Sequence, residues 1–239
     1  MKRILLFTIM LCVSMFGYSQ KWNGLKSNIP TNVKKTLVSS SDKEVVIDVK
    51  VDGYYSTTVT TPKGKQMIIS ADDMASMLKA GAPDLPMFPV SIIVDDDAEM
   101  EVSVLNAEYT DIEGVEIAPS KGNLKRKVDP NDVEYVYGEM YQQDAFYPAQ
   151  QAALETPYIL RDFRGQNIMV YPYAYNPVTK TLRVYTHMTI SAKKVSDNGV
   201  NKKIASRKAR TTIDPEVNEA YKRRFINYDA STTRNFIVD

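Results

Sequence analysis

The chain has 239 residues, of which 44% are hydrophobic and 25% are charged, a composition typical of a soluble globular protein. Its 30 Lys and Arg residues nearly balance 29 Asp and Glu residues, which argues against a broadly basic nucleic-acid-binding protein. Cys12 and His187 are the single cysteine and histidine of the sequence, so a Cys/His zinc cluster is excluded and a Ser/His/Asp triad would have to use His187. We therefore expect a protein that is not an enzyme, with no metal, no cofactor and no nucleic-acid partner.

Residues 1–19 have the pattern of an export signal. Lys2 and Arg3 form a charged start, residues 4–16 form a short apolar run, and Gly17 and Ser19 offer small side chains to a signal peptidase. The apolar run is too short to anchor the chain across a bilayer. We expect a secreted, periplasmic or cell-surface protein without a membrane span.

Segments rich in β-branched residues follow this signal. Strands are predicted at 44–51, 54–61 and 66–70. The Pro-Lys-Gly-Lys sequence at 62–65 joins the last two strands as a hairpin. Residues 72–79 predict one short helix that ends before Gly81. The two prolines within 81–86 then require an extended or turning loop.

The β pattern continues in the second half of the chain. Further strands are predicted at 89–94, 99–104, 133–137, 168–175 and 181–192. In the last of these, apolar and polar residues alternate, as in a strand with one buried face. Short strands at repeated turn spacing favour an all-β fold, and we predict an antiparallel β-sandwich over residues 20–192.

A change in charge marks the end of the predicted sandwich. Residues 193–212 contain seven Lys or Arg residues and Asp197, a net charge of +6, which predicts an exposed basic linker. Residues 213–239 follow as a separate C-terminal element. Asp214 and Pro215 are an N-cap and first-turn pair and predict a helix that runs to about Arg224.

Three features could form a site, and each also has a plain structural explanation. An acidic group could bind calcium, although it lacks the spacing of a calcium loop and is better explained as a solvated turn. A tyrosine group could stack on a sugar or a peptide, or could simply pack on a sheet. His187 is expected to be a partly exposed strand residue. The acidic group is Asp95, Asp96, Asp97 and Glu99, and the tyrosine group is Tyr171, Tyr173 and Tyr175.

Residues 119–132 are the most unusual loop of the sequence. Lys125, Arg126 and Lys127 are consecutive at its centre. Three adjacent like charges repel one another, so the loop is expected to be exposed unless an acidic partner receives it. A solvated hairpin tip explains the sequence as well as a binding loop does.

Several stretches of the sequence resemble the N-terminal prodomain of gingipain-type cysteine peptidases, which are secreted by Bacteroidota. The long and specific stretches are LRDFRGQ at 160–166 and VYPYAYNPVTKTLRVYT at 170–186. GAPDLP at 81–86, APSKG at 118–122 with Asp-Pro at 129–130, and AYKRRFINY at 220–228 add to the match, which covers most of residues 40–230.

The resemblance implies a β-sandwich propeptide that assists folding of a caspase-like catalytic domain and keeps it latent as a zymogen. In that family the nucleophilic cysteine and its histidine belong to the catalytic domain, which would begin near residue 235, so no catalytic residue is expected in this chain. The implied partner is a gingipain-like cysteine peptidase catalytic domain, whether the chain is part of a precursor or a free-standing inhibitor.

The resemblance also implies a role for the cationic residues. Arg126 matches the family's inhibitory-loop position and would occupy the anionic S1 pocket of a peptidase that prefers basic residues, since a guanidinium pairs bidentately with a carboxylate. Lys125 and Lys127 are neighbours that could substitute for it. Candidate maturation cuts follow Arg126, Arg234, Arg207 or Arg210. The alternative is a surface-associated β-sandwich binding module for glycan or protein that uses the tyrosine group.

Overall fold

Antiparallel β-strands dominate the residues that the computed structural model describes, which are 20–204, 212–229 and 237–238. The strands are β1 (Lys21–Gly24), β2 (Lys34–Ser40), β3 (Glu44–Lys50), β4 (Gly53–Thr61), β5 (Gly64–Ser70), β6 (Ala75–Ser76), β7 (Pro86–Val94), β8 (Glu99–Ile112), β9 (Ala152–Leu154), β10 (Tyr158–Leu160), β11 (Phe163–Val170), β12 (Tyr173–Asn176), β13 (Thr181–Ser196), β14 (Thr212–Ile213) and β15 (Ile237–Val238). The α-helix α1 spans Pro215–Arg224, and short 3-10 helices span Pro130–Asp132 and Glu139–Gln142. The predicted all-β class is confirmed.

The long strand β13 organises the first sheet. It pairs with β8 along nearly its whole length, and on its other edge it pairs first with β12 and then with β3, which β2 extends. The predicted alternation explains this central position, because apolar side chains of β13 are buried on one face. They are Leu182, Val184, Met188, Ile190 and Ala192.

A second sheet packs against the first and closes the core. Its strand order is β10–β11–β7–β6, with β9 also paired to β11. Phe88 and Ile92 of β7 and Ile168 of β11 join the β13 side chains in one buried cluster. A smaller sheet of β1, β4 and β5 contributes Tyr54 and Ile69 to the same cluster. The 54–61 and 66–70 hairpin is confirmed as β4 and β5.

The short helix predicted at 72–79 is wrong. The segment instead forms β6, whose two residues pair with the start of β7. The Met77 amide donates to the Leu85 carbonyl at 3.0 Å, so the backbone bonds across to β7 rather than along a helix. Asp73 and Leu78 have positive φ angles of 61° and 52°, which a right-handed helix does not permit. The strand predicted at 133–137 is also wrong, since no ladder pairs these residues in the described chain.

Strand β13 continues to Ser196, past the predicted end at Ala192. The following residues stay attached to the sandwich, because Gly199 and Lys203 donate their amides to the carbonyls of Asp97 and Asp96 at 2.9 and 2.8 Å. The first part of the predicted linker is therefore docked. Residues 205–211 of that linker lie outside the described residues.

Helix α1 lies where the sequence places it. It begins at Pro215 after Asp214, although the Asp214 side chain makes no capping hydrogen bond. Its buried face joins a second, smaller core on the outside of β10 and β11. The fully buried members of that core are Phe163, Ile213, Tyr221 and Phe225.

Candidate functional site

The segment before the three cations is fixed to the sandwich by backbone hydrogen bonds. The Met67 amide donates to the Glu116 carbonyl at 2.7 Å, and the Ala118 amide donates to the Met67 carbonyl at 2.8 Å. Ala118 is fully buried, and the next two residues are buried as well. The loop predicted to be exposed is therefore buried at residues 118–120, which form its base, half-buried at Lys121 and Gly122, and first exposed at Asn123.

A second set of bonds joins this base to the GAPDLP segment. Ser120 donates its amide to the Ala82 carbonyl at 2.7 Å and accepts from the Gly81 amide at 3.0 Å. Gly81 has a φ of +76°, in the left-handed region that favours glycine. Its carbonyl accepts from the Gly138 amide at 2.9 Å, so the chain that leaves the loop returns to the same point. The sequence stretches at 81–86 and 118–122 thus form one structural unit.

The three cations lie at the tip of this unit. The Lys125 carbonyl accepts from the Val128 amide at 2.9 Å, which closes a β-turn with Arg126 and Lys127 at its two central positions. Lys125, Arg126 and Lys127 are all exposed. In the described part of the chain, no carboxylate forms an ion pair with any of the three. The turn therefore presents unneutralised positive charge to solvent.

The two limbs of the loop are held together below the turn. Lys121 Nζ donates to the Pro130 carbonyl at 2.7 Å and lies 4.2 Å from the ring centre of Tyr135. Asp129 caps the 3-10 helix that follows, since its carboxylate accepts from the Asn131 amide at 2.8 Å. These contacts lower the conformational freedom of the turn, so less entropy is lost when a partner binds it.

Two tyrosines anchor the outgoing limb. Tyr137 Oη donates to Gln66 Oε1 at 2.5 Å and also lies 2.8 Å from Thr61 Oγ1, on the β4–β5 hairpin. Tyr141 Oη donates to the Ile117 carbonyl at 2.9 Å, and burial raises the pKa of Tyr141. Both limbs of the loop therefore rest on the same part of the sandwich.

The candidate cleavage residues divide into two groups. Arg126 lies in the exposed turn, where a protease can reach it. Arg207, Arg210 and Arg234 lie outside the described residues.

The tyrosine group does not form an accessible face, so the prediction that these tyrosines bind a glycan or a protein is wrong. Tyr173 and Tyr175 are 0% and 2% exposed, and their hydroxyls donate to the Gly53 and Val115 carbonyls at 2.8 and 2.9 Å. Tyr171 is half-buried and precedes the strand β12. Tyrosines of this sequence pattern are part of the core, where their hydroxyls satisfy buried carbonyls.

The other two candidates also serve the fold. His187 is partly exposed, as expected, and each ring nitrogen lies 3.5 Å from a carboxylate oxygen, Nε2 from Asp48 and Nδ1 from Glu108. A serine triad would need a hydroxyl at one of these nitrogens. In the acidic turn, Asp95 pairs with Lys194 at 2.7 Å and Asp96 with Lys203 at 3.2 Å, so two lysines neutralise part of its charge. Among the described residues, no acidic or histidine cluster has metal-binding geometry and no helix is long and apolar enough to cross a membrane.

Sequence reasoning missed the importance of Arg164. Its guanidinium is fully buried and donates to backbone carbonyls on two separate segments. The acceptors are Asp95, Ala98, Val200 and Asn201, at 2.8 to 3.1 Å. The LRDFRGQ stretch contains this residue, but a single arginine in a sequence carries no signal that distinguishes a buried clamp from a surface charge.

Comparison with known proteins places this architecture in a family. The family model described as Propeptide_C25 matches residues 27–236. Gingipain R1 of Porphyromonas gingivalis is 36% identical over 226 residues, which are 93% of this chain and 22% of that protein. Gingipain R2 of the same species is 33% identical over 223 residues, which are 92% of this chain and 30% of that protein. The chain thus spans less than a third of the length of either relative.

Solved structures agree with the sequence comparison. A complex of the P. gingivalis RgpB pro- and mature domains contains a chain that matches with a TM-score of 0.73 and 32% identity, covering 82% of this chain and 98% of that one. A structure on the zymogenic latency of P. gingivalis gingipain K matches with a TM-score of 0.61 and 20% identity, covering 74% and 100%; it supports the fold alone. The chain therefore belongs to the Propeptide_C25 family, as a non-catalytic, β-sandwich propeptide segment of the gingipain type.

Proposed function

We propose that this propeptide inhibits a gingipain-like cysteine peptidase catalytic domain and assists its folding, with Arg126 as the side chain that fills the peptidase's S1 pocket. The observation that carries the proposal is the β-turn at 125–128, which holds an exposed arginine, without an ion-pair partner among the described residues, on a base bonded to the sandwich. The similarity to a chain from a complex of pro- and mature domains supports a catalytic domain as the partner.

The chemistry of the turn favours Arg126 over its neighbours. A guanidinium can donate two parallel hydrogen bonds to a carboxylate in an acidic pocket, whereas an ammonium acts as a point charge. Lys125 lies at the first position of the turn and Lys127 at the second corner, so both can contact the rim of the same pocket. We expect them to raise the association rate through their charge rather than to determine affinity.

Folding assistance follows from the same contact. A rigid β surface that binds the folded catalytic domain, and not its unfolded chain, stabilises the folded form by mass action. Proteolysis then ends latency. A cut after Arg126 destroys the plug, and a cut after Arg234 separates the propeptide from a domain that follows; Arg207 and Arg210 are further candidate cuts. Export through the signal at 1–19 would place both steps outside the cytoplasm or at the cell surface.

An inhibition assay tests the proposal. The chain from residue 20 is titrated against an arginine-specific gingipain-type peptidase, and the inhibition constant is measured for the parent, Arg126→Ala and Arg223→Ala. Loss of a desolvated charge pair costs about 2–5 kcal/mol, so Arg126→Ala should raise the constant at least roughly thirtyfold. Arg223 is an exposed arginine on α1 and serves as the matched control, with an unchanged constant.

Two outcomes contradict the proposal. One is the absence of inhibition at micromolar concentration by the folded, intact parent chain. The other is an equal effect of Arg126→Ala and Arg223→Ala, which would remove the plug role even if the chain inhibits. Lys125→Ala and Lys127→Ala complete the series, and each should change the constant by less than Arg126→Ala does.

A further inference from the structure

The C-terminal segment 212–229 is attached to the sandwich by an aromatic core of its own. Phe163 of β11 lies at its centre, with ring centres 4.9 Å from Tyr221, 6.0 Å from Phe225 and 5.5 Å from Tyr228. Tyr158 of β10 stacks on Phe225 at 6.3 Å. Phe163, Tyr221 and Phe225 are no more than 2% exposed. Aromatic clusters of this kind carry a large share of the binding energy at protein interfaces.

The Phe225 ring packs directly against a glycine of β11. A Cβ atom at Gly165 of β11 would lie 2.7 Å from a ring carbon of Phe225 and equally close to the ring of Tyr158. Distances of this kind are far below van der Waals contact. Only glycine at this position lets the helix and the strand approach so closely.

Hydrogen bonds also join the C-terminal segment to the sandwich, in addition to the aromatic packing. Tyr221 Oη donates to Asp162 Oδ2 at 2.9 Å. Asn227 accepts from the Ile93 amide at 2.8 Å and donates to the Ile93 carbonyl at 3.0 Å. The segment is therefore bound through its helix and also through the residues that follow the helix.

The chain before residue 205 is held separately. Arg164 bonds the carbonyls of Val200 and Asn201 as well as those of the β7–β8 turn. Gly199 passes so close to this turn that a Cβ atom would lie 2.0 Å from the Ala98 carbonyl oxygen. Residues 197–204 and 212–229 thus reach the sandwich through two independent sets of contacts, one on each side of 205–211.

We propose that residues 212–229 act as a non-covalent clasp, so that a proteolytic cut within 205–211 nicks the propeptide without separating its two parts. The contacts on the two sides do not depend on the continuity of the chain between them. The surface formed by Tyr158, Phe163 and Gly165 is then a binding site for the chain's own C-terminal segment.

A consequence for latency rests on the proposed function. Cleavage after Arg207 or Arg210 would leave a following catalytic domain joined to the sandwich through the clasp. A cut after Arg234 lies beyond Tyr228, the last aromatic contact of the clasp, and is bridged by the two-residue pairing of β14 with β15. Because two residue pairs hold the chain far less firmly than the aromatic core does, this cut would release the propeptide with its helix still in place. Of the candidate maturation cuts, those in the linker would therefore be insufficient for release.

The test uses the chain from residue 20 with the recognition sequence of a site-specific protease in place of residues 206–210. After complete cleavage, native mass spectrometry and size-exclusion chromatography should show both fragments in one complex. In guanidinium the fragments should separate, which proves that the cut is complete. Separation of the fragments under native conditions overturns the proposal, whether or not the larger fragment stays folded.

Variants assign the association to the aromatic core. Phe225→Ala in the smaller fragment and Gly165→Ala in the larger one should each weaken the complex roughly a hundredfold or more, the scale of removing or displacing a buried aromatic side chain. Glu219→Ala changes an exposed α1 residue whose carboxylate pairs with Lys222; it is the matched control and should leave affinity unchanged. Equal affinities for all three variants would overturn the assignment.

The two proposals can fail separately. If the nicked fragments stay together but the intact chain does not inhibit the peptidase, the clasp stands and the inhibitory function fails. If the intact chain inhibits but its nicked fragments separate, the clasp fails and the inhibitory function stands.

Discussion

Replacing Arg164 with methionine removes a buried guanidinium that holds two segments of the propeptide together. The methionine side chain is similar in length and apolar, so it fills part of the space without replacing any donor. The carbonyls that lose their donor are those of Asp95, Ala98, Val200 and Asn201.

The expected cost follows from which of these carbonyls can find water. Val200 and Asn201 lie on an exposed stretch, where water can replace the guanidinium at little cost. Ala98 is 1% exposed, and an unsatisfied buried carbonyl costs about 1–3 kcal/mol. Burial of the guanidinium has its own free-energy cost, which also lowers the pKa of Arg164 in the folded protein. Removing the arginine removes this cost and offsets part of the loss. We expect a net destabilisation of about 1–3 kcal/mol, set by the buried Ala98 carbonyl.

Thermal and urea unfolding measure this loss. For a chain of this size, 1 kcal/mol shifts the unfolding midpoint by about 2–4 °C, so Arg164→Met should lower it by roughly 2–12 °C. Arg223→Met changes an exposed arginine in the same way and should have little effect. If the two variants unfold at the same temperature, the buried clamp does not contribute as we reason.

Three further predictions concern the core and the base of the loop. Burial raises the pKa of Asp84, so folding favours the protonated carboxyl. The stability linked to this group is therefore present below its unfolded pKa and is lost as the pH rises through its folded pKa. Asp84→Asn should be more stable than the parent at pH 7, with the gain gone at pH 3, in urea titrations at the two pH values. Tyr173→Phe leaves the buried Gly53 carbonyl without its donor and should cost about 1–3 kcal/mol in the same assay, whereas an unchanged stability would show that water reaches that carbonyl. Gly81→Ala places a Cβ atom 3.1 Å from the Gly138 amide nitrogen at a φ of +76°; we expect lower stability and weaker inhibition together, and a loss of neither would mean that the base of the loop is not rigid.

The sequence predicts the framework well where a local pattern carries the information. The alternation in 181–192 identifies the central strand, and the Pro-Lys-Gly-Lys turn identifies the β4–β5 hairpin, because side-chain period and turn chemistry are local properties. The start of α1 at Pro215 follows for the same reason.

Features that depend on distant partners were not predictable from such patterns. Residues 72–79 have good helix formers, but the carbonyl of Leu85 and the edge of β7 offer hydrogen bonds that a helix would forgo. The burial of Tyr173 and the acceptors of Arg164 likewise depend on segments far away in the sequence. Tertiary contacts override local propensity at all of these positions.

The candidate loop shows both situations. Three consecutive cations predict an exposed tip at 125–127, and the structure places them there. The burial of residues 118–120 could not be predicted, because their backbone partners are Met67 and the 81–84 segment rather than neighbours in sequence. This base distinguishes a presented turn from a merely solvated one.

Competition with a small arginine mimic tests most directly whether Arg126 enters the acidic pocket of a peptidase. An arginine-specific gingipain-type enzyme is mixed with increasing concentrations of a benzamidine-type compound that binds its S1 pocket. The affinity of the propeptide is measured at each fraction of occupied pockets. Our account predicts that the apparent affinity of the parent falls in proportion to pocket occupancy, while the weaker binding of Arg126→Ala does not respond. Equal binding of the parent to the free and the fully occupied enzyme would contradict it.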